Sequence, residues 1–113
     1  MEGSSLMDYL PEICEQYRRD YPELNEVYDE LAAKLHEVGP LDQPACRLVK
    51  LSAAIGGQSP GGVRSHTRNA LDEGLSAAEI EQAILLTLTI VGFPATIASL
   101  KWAREVFQAR QQA

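Results

Sequence analysis

Residues 55–71 read IGGQSPGGVRSHTRNAL. Four glycines flank Ser59-Pro60, and a run with helical spacing follows, carrying His66. Ser59 is a good N-cap, because its hydroxyl can accept from a free first-turn amide, and proline suits the position after it. A helix therefore opens here and runs to about Glu73, with Gly74 as the left-handed residue that ends it. The glycines do not make a phosphate loop: no Gly-Lys-Ser/Thr follows, and no G-x-G-x-x-G is present.

Outward from this helix the pattern stays helical. A first helix spans about Pro11 to Asp20 with Ile13, Cys14 and Tyr17 inward, and Leu6 and Leu10 extend its apolar side. A second opens at Pro22; Leu24, Val27, Tyr28, Leu31, Leu35 and Val38 recur on one face until Gly39-Pro40 stops it. Asp42 caps a third that reaches about Ile55. Ser76-Ala-Ala-Glu79 is a capping box and starts a fifth. That helix is apolar on nearly every side, from Ile80 through Val91, so it calls for burial all round, which a chain this small supplies through a subunit interface. A sixth starts near Pro94, with Ile97, Leu100, Ala103 and Phe107 in one stripe and Trp102 with Val106 in another. Residues 83–100 are uncharged and long enough for a membrane span, but Gly92-Phe93-Pro94 breaks them and polar hydroxyls dilute them, so two buried helices meeting at a turn fit better.

The composition bounds the function. A chain of 113 residues is one domain, residues 1–113. Lys and Arg total 10 against 16 Asp and Glu, a formal charge of -6, which argues against nucleic acid because phosphate binding needs a basic footprint. The start, MEGSSLMDYL, lacks the pattern of a secretory signal, and the two cysteines, Cys14 and Cys46, make neither a disulfide framework nor a zinc ligand set. A reducing, cytoplasmic setting is expected.

Four places can carry chemistry. On the fourth helix Val63, Thr67, Ala70 and Leu71 share the inner face, Arg64, Arg68 and Asp72 point away, and His66 falls at the edge. It reads either as a half-buried histidine bonded to a neighbour or as a side chain reaching a cavity. Gly61 and Gly62 cost helix stability, about 1 kcal/mol each, so they need a reason: a close approach of two helices, or an anion docked on free first-turn amides. Arg47 borders the apolar face of the third helix and is either a snorkelling surface arginine or a cation facing the cavity of His66. His36, at the rim of the second helix, reads as solvated.

The stretches GPLDQPACRLVKLSAAIGG (39–57) and EGLSAAEIEQAILLTLTIVGFPA (73–95), with His66 and Ala70 between them, resemble the carboxymuconolactone decarboxylase and alkylhydroperoxidase D-like family. The resemblance covers residues 39–107 as the family core, with residues 1–38 as N-terminal helices. It implies an all-α, six-helix alkylhydroperoxidase D-like bundle whose helices are buried at subunit interfaces of a homotrimer or homohexamer. It also implies two chemistries. The redox branch uses C-x-x-C, a histidine four residues after the second cysteine and a glutamate twelve before the first. Counting back from His66, those positions hold Gly62, Ser59 and Arg47. A disulfide relay needs two close thiols, so no peroxide or disulfide reduction is expected.

The other branch is the cofactor-free lactone decarboxylase. It needs cations or N–H groups to hold carboxylate and a proton donor. His66 is the candidate catalytic acid, and Arg47, Ser59, Gly61, Gly62 and Arg64 are the candidate substrate-binding residues. That branch tends to carry acidic residues just before the histidine, where this chain has Gly61-Gly62-Val63. The expectation is a non-redox member, a lyase or small-carboxylate binder without metal or cofactor; the alternative is an oligomeric scaffold that has lost the site.

Overall fold

The computed structural model describes residues 12–112, and within them the chain forms helices and turns without a strand. In order these are α1 (Glu12–Asp20), α2 (Pro22–Leu35), α3 (Gln43–Gly56), α4 (Pro60–Asp72), α5 (Ala77–Leu86), α6 (Leu88–Val91) and α7 (Phe93–Gln112). Residues Leu6, Leu10 and Pro11, expected to extend or open α1, lie outside the described residues.

The helix starts are set by local chemistry. The Asp42 carboxylate accepts from the Ala45 N–H at 3.0 Å and opens α3. Ser59 Oγ accepts from Gly62 N–H at 3.0 Å, with Pro60 first in α4. At α5 the capping box is complete: Ser76 Oγ accepts from Glu79 N–H at 3.0 Å, and the Glu79 carboxylate accepts from Ser76 N–H at 2.9 Å. Each such cap satisfies an amide the helix cannot use, for about 1 kcal/mol. Two glycines are needed for their backbone: Gly74, with φ +100°, ends α4, and Gly92, with φ +96°, turns the chain into α7. The expected turn at Gly92-Phe93-Pro94 is present. A second break at Thr87 separates the single turn α6 from α5, where the threonine hydroxyl donates to Ile84 O at 2.6 Å.

The core lies among α3, α4, α5 and α7. Leu51 and Ile55 of α3 meet Val63 and Ala70 of α4, Leu75, Ile80 and Ile84 around α5, and Ala103 of α7. Ion pairs hold α7 to its neighbours: Arg64–Glu105, Asp72–Arg110 and Glu81–Arg104. Arg64 and Asp72 thus do turn from the inner face of α4, but toward α7.

Three sequence expectations are corrected. Ile13 is not inward; it is exposed, and neither α1 nor α2 buries any residue. The apolar row of α2 is real but uncovered, and it stops at Leu35, so Val38 lies beyond the helix. The buried stripe of α7 is Thr96, Ser99, Ala103, Val106 and Ala109, while Ile97 is exposed. Small side chains let α7 lie close to α4 and α5, which pushes the bulkier Trp102 and Phe107 to the margins of the core. On α5, Ile80, Ala83 and Ile84 are buried, whereas Leu85 and Leu86, with Ile90 beyond them, stay exposed. No helix among the described residues is long and apolar enough to cross a membrane.

Candidate functional site

Arg47 and His66 meet. Arg47 leaves α3 toward α4 and is only 8% exposed. Burying a guanidinium requires a counter-charge and filled donors. Glu73, the residue that caps the C-terminus of α4, supplies both. Arg47 Nε donates to Glu73 Oε1 at 3.0 Å and Nη2 donates to Oε2 at 2.7 Å, the two-pronged geometry that suits a planar fork. The third prong, Nη1, stands 2.7 Å from His66 Nδ1.

This contact decides the state of the histidine. Arginine has no acceptor, so Nδ1 must hold a lone pair. The imidazole is therefore neutral and carries its proton on Nε2. Burial lowers the His66 pKa, and Arg47, Lys50 and His36 lower it further, against an opposing pull from Glu73. The Glu73 carboxyl is held below its usual range, chiefly by the hydrogen bond from Arg47.

One helical turn beyond Arg47, Lys50 Nζ donates to His36 Nε2 at 2.8 Å. His36 ends α2 and is partnered rather than simply solvated. Around these groups lies a cleft of about 820 Å³ between α2 and the α3–α4 pair. Arg18, Lys50 and Arg68 line it together with Arg47, whose charge Glu73 balances, against two carboxylates, Asp29 and Glu37. The lining is thus slightly basic in a chain of formal charge -6. A second hollow of about 480 Å³ adjoins it. One wall is Tyr28, Leu31, Ala32 and Leu35 of α2, and the other is Ala53 and Ala54 of α3 with Ser59 and Gly62 at the start of α4. Tyr28, Ala32, Lys50 and His66 belong to both hollows, so the two are continuous.

The other expected site residues fall in different places. Ser59 and Gly62 line the apolar hollow. The Gly62 N–H is taken by the Ser59 cap and the Val63 N–H by Ser59 O, which leaves Gly61 as the first-turn amide outside the cap. A β-carbon on Gly62 would stand 2.8 Å from Ser59 Oγ and 3.1 Å from the Ala54 β-carbon, whereas one on Gly61 would meet nothing within 4 Å. Gly62 therefore permits the close approach of α4 to α3. Arg64 sits away from both hollows, bonded to Glu105. Sequence reasoning missed Glu73, Lys50 and Tyr28. The one available signal for Glu73 was that an arginine bordering a core face needs an acid on the next helix.

Both cysteines are free thiols, and Cys46 Sγ donates to Leu41 O at 3.8 Å. No group of three or more His, Cys, Asp or Glu among the described residues is arranged to hold a metal ion.

The carboxymuconolactone decarboxylase family model matches residues 22–105. The chain belongs to that family. Among solved structures, the apo form of a carboxymuconolactone decarboxylase family protein from Legionella pneumophila has the same fold, with a TM-score of 0.72 and 18% identity. The likeness covers 86% of this chain and 87% of that one. No curated protein matches the chain. As a carboxymuconolactone decarboxylase family member, the chain has His66 on α4 and Arg47 on α3, and it has no C-x-x-C.

Proposed function

We propose that this family member is of the non-redox type and binds a small carboxylate in the basic cleft, with His66 as a neutral N–H donor. The observation that carries this reading is the Arg47 Nη1–His66 Nδ1 contact of 2.7 Å. It fixes the tautomer, aims the chemistry at Nε2, and sets Lys50 beside the ring as a second source of positive field. Thiol chemistry has no support, since the positions around His66 that would carry the two sulfurs hold Ser59 and Gly62.

The geometry also refines the role of His66. A neutral imidazole whose Nδ1 accepts from arginine is a poor proton donor, but it is a good electrophile toward a developing oxyanion. In a cofactor-free lactone decarboxylation the bond to the carboxylate carbon breaks and CO₂ leaves. The bonding pair passes into the conjugated lactone carbonyl, and its oxygen becomes an enolate that accepts from the His66 Nε2–H. A proton from water then returns to carbon. Arg47 holds the ring, and Glu73 holds Arg47.

The test is decarboxylation of a muconolactone carboxylate, followed by ultraviolet absorbance, together with NMR detection of binding. The expected result is saturable turnover or binding that falls by about 10²-fold in His66→Ala, as for loss of one oxyanion donor. Turnover and binding indifferent to His66→Ala would remove the imidazole from the site and overturn the proposal.

A further inference from the structure

The basic cleft and the apolar hollow share His66, Lys50, Tyr28 and Ala32, and their linings are chemically opposite. On the apolar side Leu31 and Leu35 of α2 face Ala53 and Ala54 of α3 across a gap of about 480 Å³, within the size range of small-molecule sites. Leu31 is 54% exposed and Leu35 55%, although they stand in an apolar row on an ordered helix. Leaving such a row in water is costly, and filling the gap with an apolar body would remove much of it from solvent. The far end of the gap is not apolar. It ends on the Lys50 ammonium, which stands 2.8 Å from His36 Nε2, and on the His66 ring. The combination selects one kind of occupant, anionic at one end and apolar along its length.

We infer that the ligand of this site is a monocarboxylic acid with an extended apolar tail, its carboxylate at Lys50 and His66 and its tail between α2 and α3. This rests on the carboxylate reading above and adds the tail to it. Uptake is simple binding, with no bond made or broken. The specificity comes from two walls on different helices. Lys50 and His66 reject an alcohol or an amine, and the Leu31–Ala54 gap rejects an acid that lacks a tail.

The experiment is an NMR titration of the full chain with acetate, hexanoate and decanoate, read at the His66 ring. Affinity is expected to rise by about two- to fourfold for each methylene that enters the gap. Lys50→Ala is expected to weaken all three acids. Leu31→Asp is expected to abolish the dependence on chain length, and Leu86→Asp, on the distant exposed side of α5, to leave it in place. If acetate and decanoate bind equally well, the tail inference falls and the carboxylate reading stands. If neither binds, both fall. A chain-length dependence that survives Leu31→Asp, or that Leu86→Asp removes equally, places the tail elsewhere and also overturns the inference.

Discussion

Helices α2 and α3 have the same length, 14 residues, and each has an apolar face and a proline in its first turn. Their surroundings are opposite. Helix α3 buries Leu51, Ile55 and even Arg47, while α2 buries nothing and leaves Leu24, Val27, Leu31 and Leu35 exposed. The difference is in what each faces. Helix α3 meets α4 along its length and reaches α5 and α7, so its face closes a core. Helix α2 packs on α1, and across from it lies the hollow that runs to His66. An amphipathic stripe shows that a helix needs a partner but not that the same chain provides it. Here one stripe stabilises the fold and the other walls the hollow beside His66.

The strongest way to break this contrast is to truncate one residue on each helix. Leu51→Ala removes a fully buried side chain from the centre of the core and is expected to cost about 2–5 kcal/mol. Val27→Ala, at a position 62% exposed, is expected to stay within about 0.5 kcal/mol. Urea denaturation measures both. Equal losses would mean that α2 is covered in solution and that the hollow beside it is closed.

The next largest effect is expected at Arg47. Breaking a buried pair costs roughly 3–5 kcal/mol, and here the loss from Arg47→Ala should be smaller, about 2–3 kcal/mol, because the Glu73 side chain keeps 19% exposure. The protonation consequences are more diagnostic. With the His66 pKa lowered from 6.5, the unfolded chain takes up a proton before the folded one does as pH falls. Stability therefore declines below about pH 6.5 until the folded pKa is reached. Glu73, lowered from 4.5, contributes stability above that value and loses it as pH falls through its own folded pKa. Arg47→Ala removes a cation that lowers the His66 pKa and leaves the carboxylate that raises it. The His66 midpoint followed by NMR should then rise, and the decline beginning near pH 6.5 should weaken. An unmoved midpoint would mean that the Arg47–His66 contact does not hold in solution.

What the sequence carried, and what it did not, follows from range. Caps act over three or four residues, so Asp42, Ser59, the Ser76–Glu79 box and Gly74 marked their helix ends correctly. Gly92, with a backbone few other residues adopt, marked the turn before α7. The inner face of α4, with Val63, Thr67 and Ala70, followed from spacing alone. Glu73 lies 26 residues from Arg47 and His66 lies 19 from it, so no local rule joins them. The same distance hid the pairing of His36 with Lys50, 14 residues apart. The sidedness of α2 was illegible for another reason: its periodicity is the same whether the face meets a core, a ligand or another chain.

The smallest effects test how closely α4 lies against α3, in contrast to the stand-off of α2. Gly61 and Gly62 are neighbours in one helical turn with the same propensity cost, yet their surroundings differ. At Gly61 a β-carbon meets nothing within 4 Å, so Gly61→Ala should gain about 0.5–1 kcal/mol by restricting the unfolded chain and favouring the helix. At Gly62 the new carbon would lie 2.8 Å from Ser59 Oγ and 3.1 Å from Ala54. The hydroxyl can rotate aside, but it then releases the Gly62 N–H and the cap is lost. Ala54 can yield only if α3 and α4 separate. The propensity gain is thus offset by a lost cap and by strained packing, and Gly62→Ala should be destabilising by about 1 kcal/mol. Opposite signs at adjacent glycines are the expected result in thermal unfolding. If both substitutions stabilise, α4 does not press on α3 at this end, and the floor of the apolar hollow is wider than the structure places it.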